Sequence, residues 1–124
     1  MSKDDNVVSI SIDLKKDRIR IHRATLYKLG NPKLIQLLLS PECRVAIKAV
    51  DHKVPGGQEI EVNLEKLPAD FSFEVYSGLL IERMRKAKPE LLRDGSTYRL
   101  TGTVNKEKKI AMFPTENMVK LDGE

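Results

Sequence analysis

Six basic side chains crowd into one short stretch near the start of the chain: Lys15, Lys16, Arg18, Arg20, Arg23 and Lys28. Between Lys15 and Arg23 only Asp17 opposes them. Lysine and arginine gathered this way neutralise phosphate, and arginine can also read base edges in the major groove. The competing reading is a solvated strand face. The whole-chain balance supports asking the question of this segment first. Residues 1–52 hold ten Lys/Arg against six Asp/Glu, residues 53–69 two against three, and residues 70–124 ten against nine. The +4 net charge is therefore a property of the first half.

Other chemistry is harder to build from these residues. His22 and His52 lack the paired spacing of a metal site, and one cysteine, Cys43, makes neither a zinc ribbon nor an internal disulfide. Cys43 has no base at a recognisable spacing to activate it. Gly56-Gly57 is not followed by Gly-Lys-Ser/Thr, so it reads as a turn and not as a phosphate loop. Glu59, Glu61 and Glu65 alternate as on the solvent face of a strand. A protein that is not an enzyme and needs no cofactor is expected. No stretch approaches the ~18 apolar residues that span a bilayer, and MSKDDNVV lacks an apolar signal core. The expectation is a cytoplasmic protein with no membrane association.

The elements that carry the basic cluster follow from periodicity. Val8, Ile10, Ile12 and Leu14 alternate with Ser9, Ser11 and Asp13, and Ile19 and Ile21 alternate with Arg18, Arg20 and His22. Both are half-buried strands, joined by the short loop Lys15-Lys16-Asp17 as a hairpin. Arg23–Leu29 brings Leu26 and Leu29 to one side of a short helix, which Gly30 ends and Pro32 keeps from resuming. Leu34–Leu39 is apolar on both faces apart from Gln36 and reads as a buried strand. Ser-Pro-Glu-Cys turns the chain into Arg44–Val50, with Val45, Ile47 and Ala49 inward.

The same order recurs after Pro55-Gly56-Gly57. Ile60, Val62 and Leu64 alternate, as do Phe71, Phe73 and Val75. Ser77 can cap a helix striped by Leu80, Met84, Ala87 and Leu91, kinked or divided at Pro89 and ended by Asp94-Gly95. Tyr98, Leu100 and Val104 form a strand, Asn105–Lys109 a polar turn and Ile110–Phe113 the return strand. The fold class expected is α+β and mostly β: two tandem β-β-α-β-β modules about a pseudo-two-fold axis, forming one swapped-hairpin-like barrel. The expected divisions are residues 1–52, a linker 53–58, residues 59–114 and a tail 115–124.

VSISIDLKKDRIRIHRATLYKLG, followed by strand, turn and strand, resembles the swapped-hairpin DNA-binding domain of the AbrB family, with its SpoVT-type and MazE-type relatives. The duplication is similar to the tandem arrangement of the MraZ-like branch. The resemblance covers residues 7–50, with an echo in 58–113. It implies double-stranded DNA as partner and a role in transcription regulation. Arg18 falls at the family's strand arginine, and Lys15 and Lys16 fall in its basic turn. Arg20, Arg23 and Lys28 complete the implied set. The helix departs from the family, with Thr25-Leu26-Tyr27 where a Leu-Arg-Arg run is common, and His22 stands at the usual junction proline. A second expectation stands beside the first: a module of this fold that binds a protein partner or another copy of itself and has lost DNA binding.

Overall fold

A computed structural model describes residues 6–53, 59–62, 72–89 and 96–121. The expected linker Pro55-Gly56-Gly57, the strand positions Leu64 and Phe71, and Leu91 and Asp94-Gly95 of the second helix lie outside the described residues.

The chain is mostly β. Strands β1 (Val7–Asp13) and β2 (Arg18–His22) precede α1 (Arg23–Lys28), β3 (Leu34–Leu39), β4 (Arg44–Val50) and the two-residue β5 (Ile60–Glu61). Then come β6 (Ser72–Tyr76), α2 (Gly78–Ala87), β7 (Thr97–Asn105), β8 (Ile110–Pro114), a 3₁₀ turn at Thr115–Asn117 and β9 (Val119–Lys120). Among the described residues, all nine strands belong to one curled antiparallel sheet of order β5-β3-β4-β8-β7-β1-β2-β6, with β9 added against β7.

Alternation explains why these segments are strands. Val8, Ile10 and Ile12 of β1, Ile19 and Ile21 of β2, Val45 and Ile47 of β4 and Tyr98, Leu100 and Val104 of β7 all turn to a single core. Both helices contribute to it, α1 through Leu26 and its cap Leu29, and α2 through Leu80, Ile81 and Met84. One core drawn from residues far apart in sequence gives each element apolar surface to bury.

The local stop and start signals act as expected. Ser77 Oγ accepts the Leu80 N–H at 3.3 Å and caps α2. Gly30 takes φ +91°, a conformation that disfavours any side chain, and the Asn31 N–H closes α1 onto the Leu26 carbonyl at 2.9 Å. The α2 stripe is shorter than expected. Leu80 and Met84 are buried with Ile81, but Ala87 is exposed because the helix ends there, two residues before Pro89. The residue before a proline is pushed out of the helical region, and the helix stops accordingly.

The expectation for Leu34–Leu39 needs correction, because the strand is not buried on both faces. Ile35 is fully buried, Leu37 and Leu39 pack partly against the core, and Leu38 is 42% exposed. A single sheet curled around one core has only one inner face, and β3 lies near its end, pairing with β5 only at Leu34 and Ile35. Ile35→Ala is therefore expected to cost ~2–5 kcal/mol in a denaturant titration, and Leu38→Ala less than about 1 kcal/mol. Equal losses at the two positions would contradict this placement of β3.

A candidate nucleic-acid interface

The β1–β2 turn is built by one carboxylate. Asp13 Oδ1 accepts the backbone N–H groups of Lys15 at 3.1 Å and Lys16 at 3.3 Å, while Asp13 Oδ2 accepts Arg18 Nη2 at 3.1 Å. Asp17 takes φ +52° to complete the reversal. The turn is also tied from outside: Arg85 Nη2 donates to the Leu14 carbonyl at 2.8 Å, and the Ser77 N–H donates to the Asp17 carbonyl at 3.0 Å. Lys15 and Lys16 are thus exposed on a fixed backbone, and their ammonium groups have no partner among the described residues. An anchored turn loses little conformational entropy when it meets a ligand.

Beyond the turn, register decides which groups meet. Ile19 and Ile21 point inward, so Arg18, Arg20 and His22 occupy the outer face of β2. Ser11 of β1 pairs with Arg20 on one side and with Arg99 of β7 on the other. Arg20 and Arg99 therefore lie in one row, two strand spacings or roughly 10 Å apart. The row continues in the other direction to Glu74 of β6, directly opposite Arg20.

Glu74 changes the character of the basic strand. Its Oε2 accepts Arg20 Nη2 at 2.9 Å, Arg20 Nε at 3.3 Å and Arg18 Nη1 at 3.4 Å. Arg18, with its side chain 18% exposed, is held between Glu74 and Asp13; Arg20 keeps 42% exposure. Desolvation by burial weighs against the Arg18 charge, yet Glu74, the Tyr76 hydroxyl and Asp13 together outweigh it and hold the guanidinium above its ordinary value. His22 is shifted the other way, below its ordinary value, by burial and then by the charges of Arg99 and Arg20. The imidazole is therefore neutral at pH 7 and adds a hydrogen-bonding edge, not a cation.

Of the six basic residues expected to act together, Lys15, Lys16, Arg18 and Arg20 share the turn and outer face of β2, and Arg23 sits half-buried where α1 begins. Lys28 lies apart: its Nζ donates to the Val7 carbonyl at 3.3 Å, at the far end of β1 from the turn. Two participants were not singled out from sequence. Arg99 and Glu74 each alternate with inward-facing neighbours, so their outward direction was readable, but Glu74 meets Arg20 through pairing across 54 residues, and Arg99 joins their row only through β1.

Cys43 is buried, takes φ +62° in the β3–β4 turn, and its carbonyl accepts the Thr115 hydroxyl at 2.9 Å. No group of three His, Cys, Asp or Glu side chains among the described residues could hold a metal ion, and no helix among them is long and apolar enough to cross a membrane. In comparisons with known proteins, no family model, no curated protein and no solved structure matches this chain.

Proposed function

We propose that the protein is a cytoplasmic, DNA-binding regulator built from two tandem β-β-α-β-β modules, and that it meets the duplex with the Lys15–Lys16 turn and the outer face of β2. The strand pairings support the tandem reading. Take β1 to β4 as the first module and β5 to β8 as the second. Exchanging equivalent strands leaves the pairs β1·β7, β3·β5, β4·β8 and β2·β6 unchanged as a set. The β3–β4 hairpin pairs across the module boundary on both edges, as a swapped hairpin would. The β1–β2 pair has no β5–β6 counterpart among the described residues.

The observation that carries the DNA reading is the anchored turn, which presents two lysines whose ammonium groups have no partner among the described residues, beside a sheet face that also bears Arg20 and Arg99. Such a surface binds phosphates without needing a pocket. Neutralising about four phosphates gives a slope of log K against log salt of ~−3 to −4. Anisotropy titration of a labelled duplex across a salt gradient measures it. Lys15→Ala with Lys16→Ala is expected to flatten the slope by about 2 while thermal unfolding stays unchanged.

A second reading, an assembly module of the same fold, is favoured by a different observation. Arg18 and Arg20 are already engaged by carboxylates, and exposed Leu38 and Leu79 line a groove between β3 and α2. Absence of duplex binding at ~50 mM salt, where phosphate attraction is strong, would decide for that reading.

A further inference from the structure

At the opposite end of β1 from the Lys15–Lys16 turn, two further turns face each other across a cleft of about 420 Å³. One is the end of α1, contributing Tyr27, Lys28, Gly30 and Asn31; the other is the β7–β8 turn, contributing Lys106 and Lys109. Among the described residues, three lysines line the cleft and no acidic residue does. Both turns are fixed. The Gly30 N–H donates to the Tyr27 carbonyl at 3.0 Å, and Asn31 takes φ +51°. Across the cleft, Asn105 Oδ1 accepts the Lys108 N–H at 3.0 Å, and the Lys109 carbonyl, at a residue of φ +56°, accepts the Ala49 N–H at 2.9 Å.

Tyr27 is 70% exposed although it stands on a helix whose neighbours Leu26 and Leu29 are fully buried. An aromatic ring so exposed at a cationic cleft offers a stacking surface, and lysines supply point charges suited to phosphate. A Cβ at Gly30 would meet nothing within 4 Å, so the cleft is open above the helix end. A ligand that carries both an aromatic ring and a phosphate would use both features at once.

We propose that the cleft between the end of α1 and the β7–β8 turn binds a nucleoside phosphate, its base on Tyr27 and its phosphate among Lys28, Lys106 and Lys109. The ligand has two sources, a free mononucleotide or an unpaired nucleotide of a single strand. The site is independent of the duplex-binding surface proposed above. The six residue steps of β1 from Val7, which Lys28 touches, to Asp13, which holds the other turn, put about 20 Å between them.

The test is calorimetric titration of the full chain with thymidine monophosphate, thymidine, inorganic phosphate and an eight-residue oligothymidylate. Thymidine monophosphate is expected to bind at least about tenfold more tightly than thymidine or phosphate, since each of these keeps only half of the contacts. Lys106→Ala with Lys109→Ala should weaken it about tenfold or more. Tyr27→Ala should weaken it similarly and Tyr27→Phe should not, which separates stacking from the hydroxyl. Thermal unfolding of each variant establishes that the fold persists. Oligothymidylate binding well above the mononucleotide identifies a single strand as the source, and equal binding identifies the free nucleotide. No thymidine monophosphate binding at ~10 mM, or binding that the lysine and Tyr27→Ala variants leave unchanged, overturns the proposal.

Discussion

Gly102→Ala is expected to unfold the protein or leave it severely destabilised, the largest loss of any single methyl addition at a described glycine. Gly102 faces inward on β7, between Leu100 and Val104, and pairs with Val8 of β1. A Cβ placed there would lie 1.9 Å from the Met112 carbonyl oxygen, 2.8 Å from its carbonyl carbon and 2.9 Å from Phe113 Cδ2. The first two atoms are backbone of β8 and cannot swing aside as a side chain does. Relief requires β7 and β8 to part beside their Thr103–Met112 pair, where Phe113 is fully buried. Overpacking of a well-filled core typically costs ~1–3 kcal/mol, and a backbone clash lies beyond that range. Against a total stability of ~5–15 kcal/mol for a small domain, such a loss is visible as a large fall in the urea midpoint. A change below about 1 kcal/mol would show that the β7–β8 pair opens easily at this position. Gly78→Ala is the control, because a Cβ there meets only Asp17 Oδ2, at 3.7 Å.

Glu74→Gln is expected to raise duplex affinity about three- to tenfold at low salt, with little change in Tm. Three arginine donors converge on Glu74 Oε2, so on the proposed reading this carboxylate competes with a phosphate oxygen for Arg18 and Arg20. Glutamine keeps the size and an acceptor while removing the charge. The two guanidinium groups then compete less with an internal anion and more with solvent or phosphate. Stability changes little because these pairs lie at the surface, where solvent screens them. The salt slope should steepen by up to ~1 as an extra phosphate contact becomes available. If Glu74→Gln left duplex affinity unchanged, the outer face of β2 would not be the contact surface, and the Lys15–Lys16 turn alone would remain. Replacing Arg18 and Arg20 by glutamate is a poorer probe. It would set new carboxylates against Asp13 and Glu74 and confound lost binding with lost stability.

The two experiments address different levels of the same sheet. Gly102 tests whether the strands must close around one core, and Glu74 tests what the outer face of that sheet offers to a partner. The coupling runs through β6, which pairs with β2 and brings Glu74 opposite Arg20. Removing β6 from its place would therefore expose the basic strand and open the core together.

What the sequence determined by itself was the local geometry. Alternation in VSISIDL, RIRI, RVAIKAV and TYRLTGTVN set those segments as strands and chose their inward faces, because a strand's side chains alternate whatever lies beside it. Ser77 at the start of α2 and Gly30 after α1 also act through their own backbone and neighbours, so they were legible. The basic turn was legible for the same reason, since Asp13 holds it across two and three residues. Only the tertiary structure decided the rest. Arg18 meets Glu74 across 56 residues, and Leu38 is exposed because β3 lies near the sheet's end. Gly102 is required by the approach of β8, and Lys28 leaves the other cations for a cleft it shares with Lys106 and Lys109. Strand partners are chosen by which closure buries the most apolar surface at once, a property of the whole chain that no local window contains.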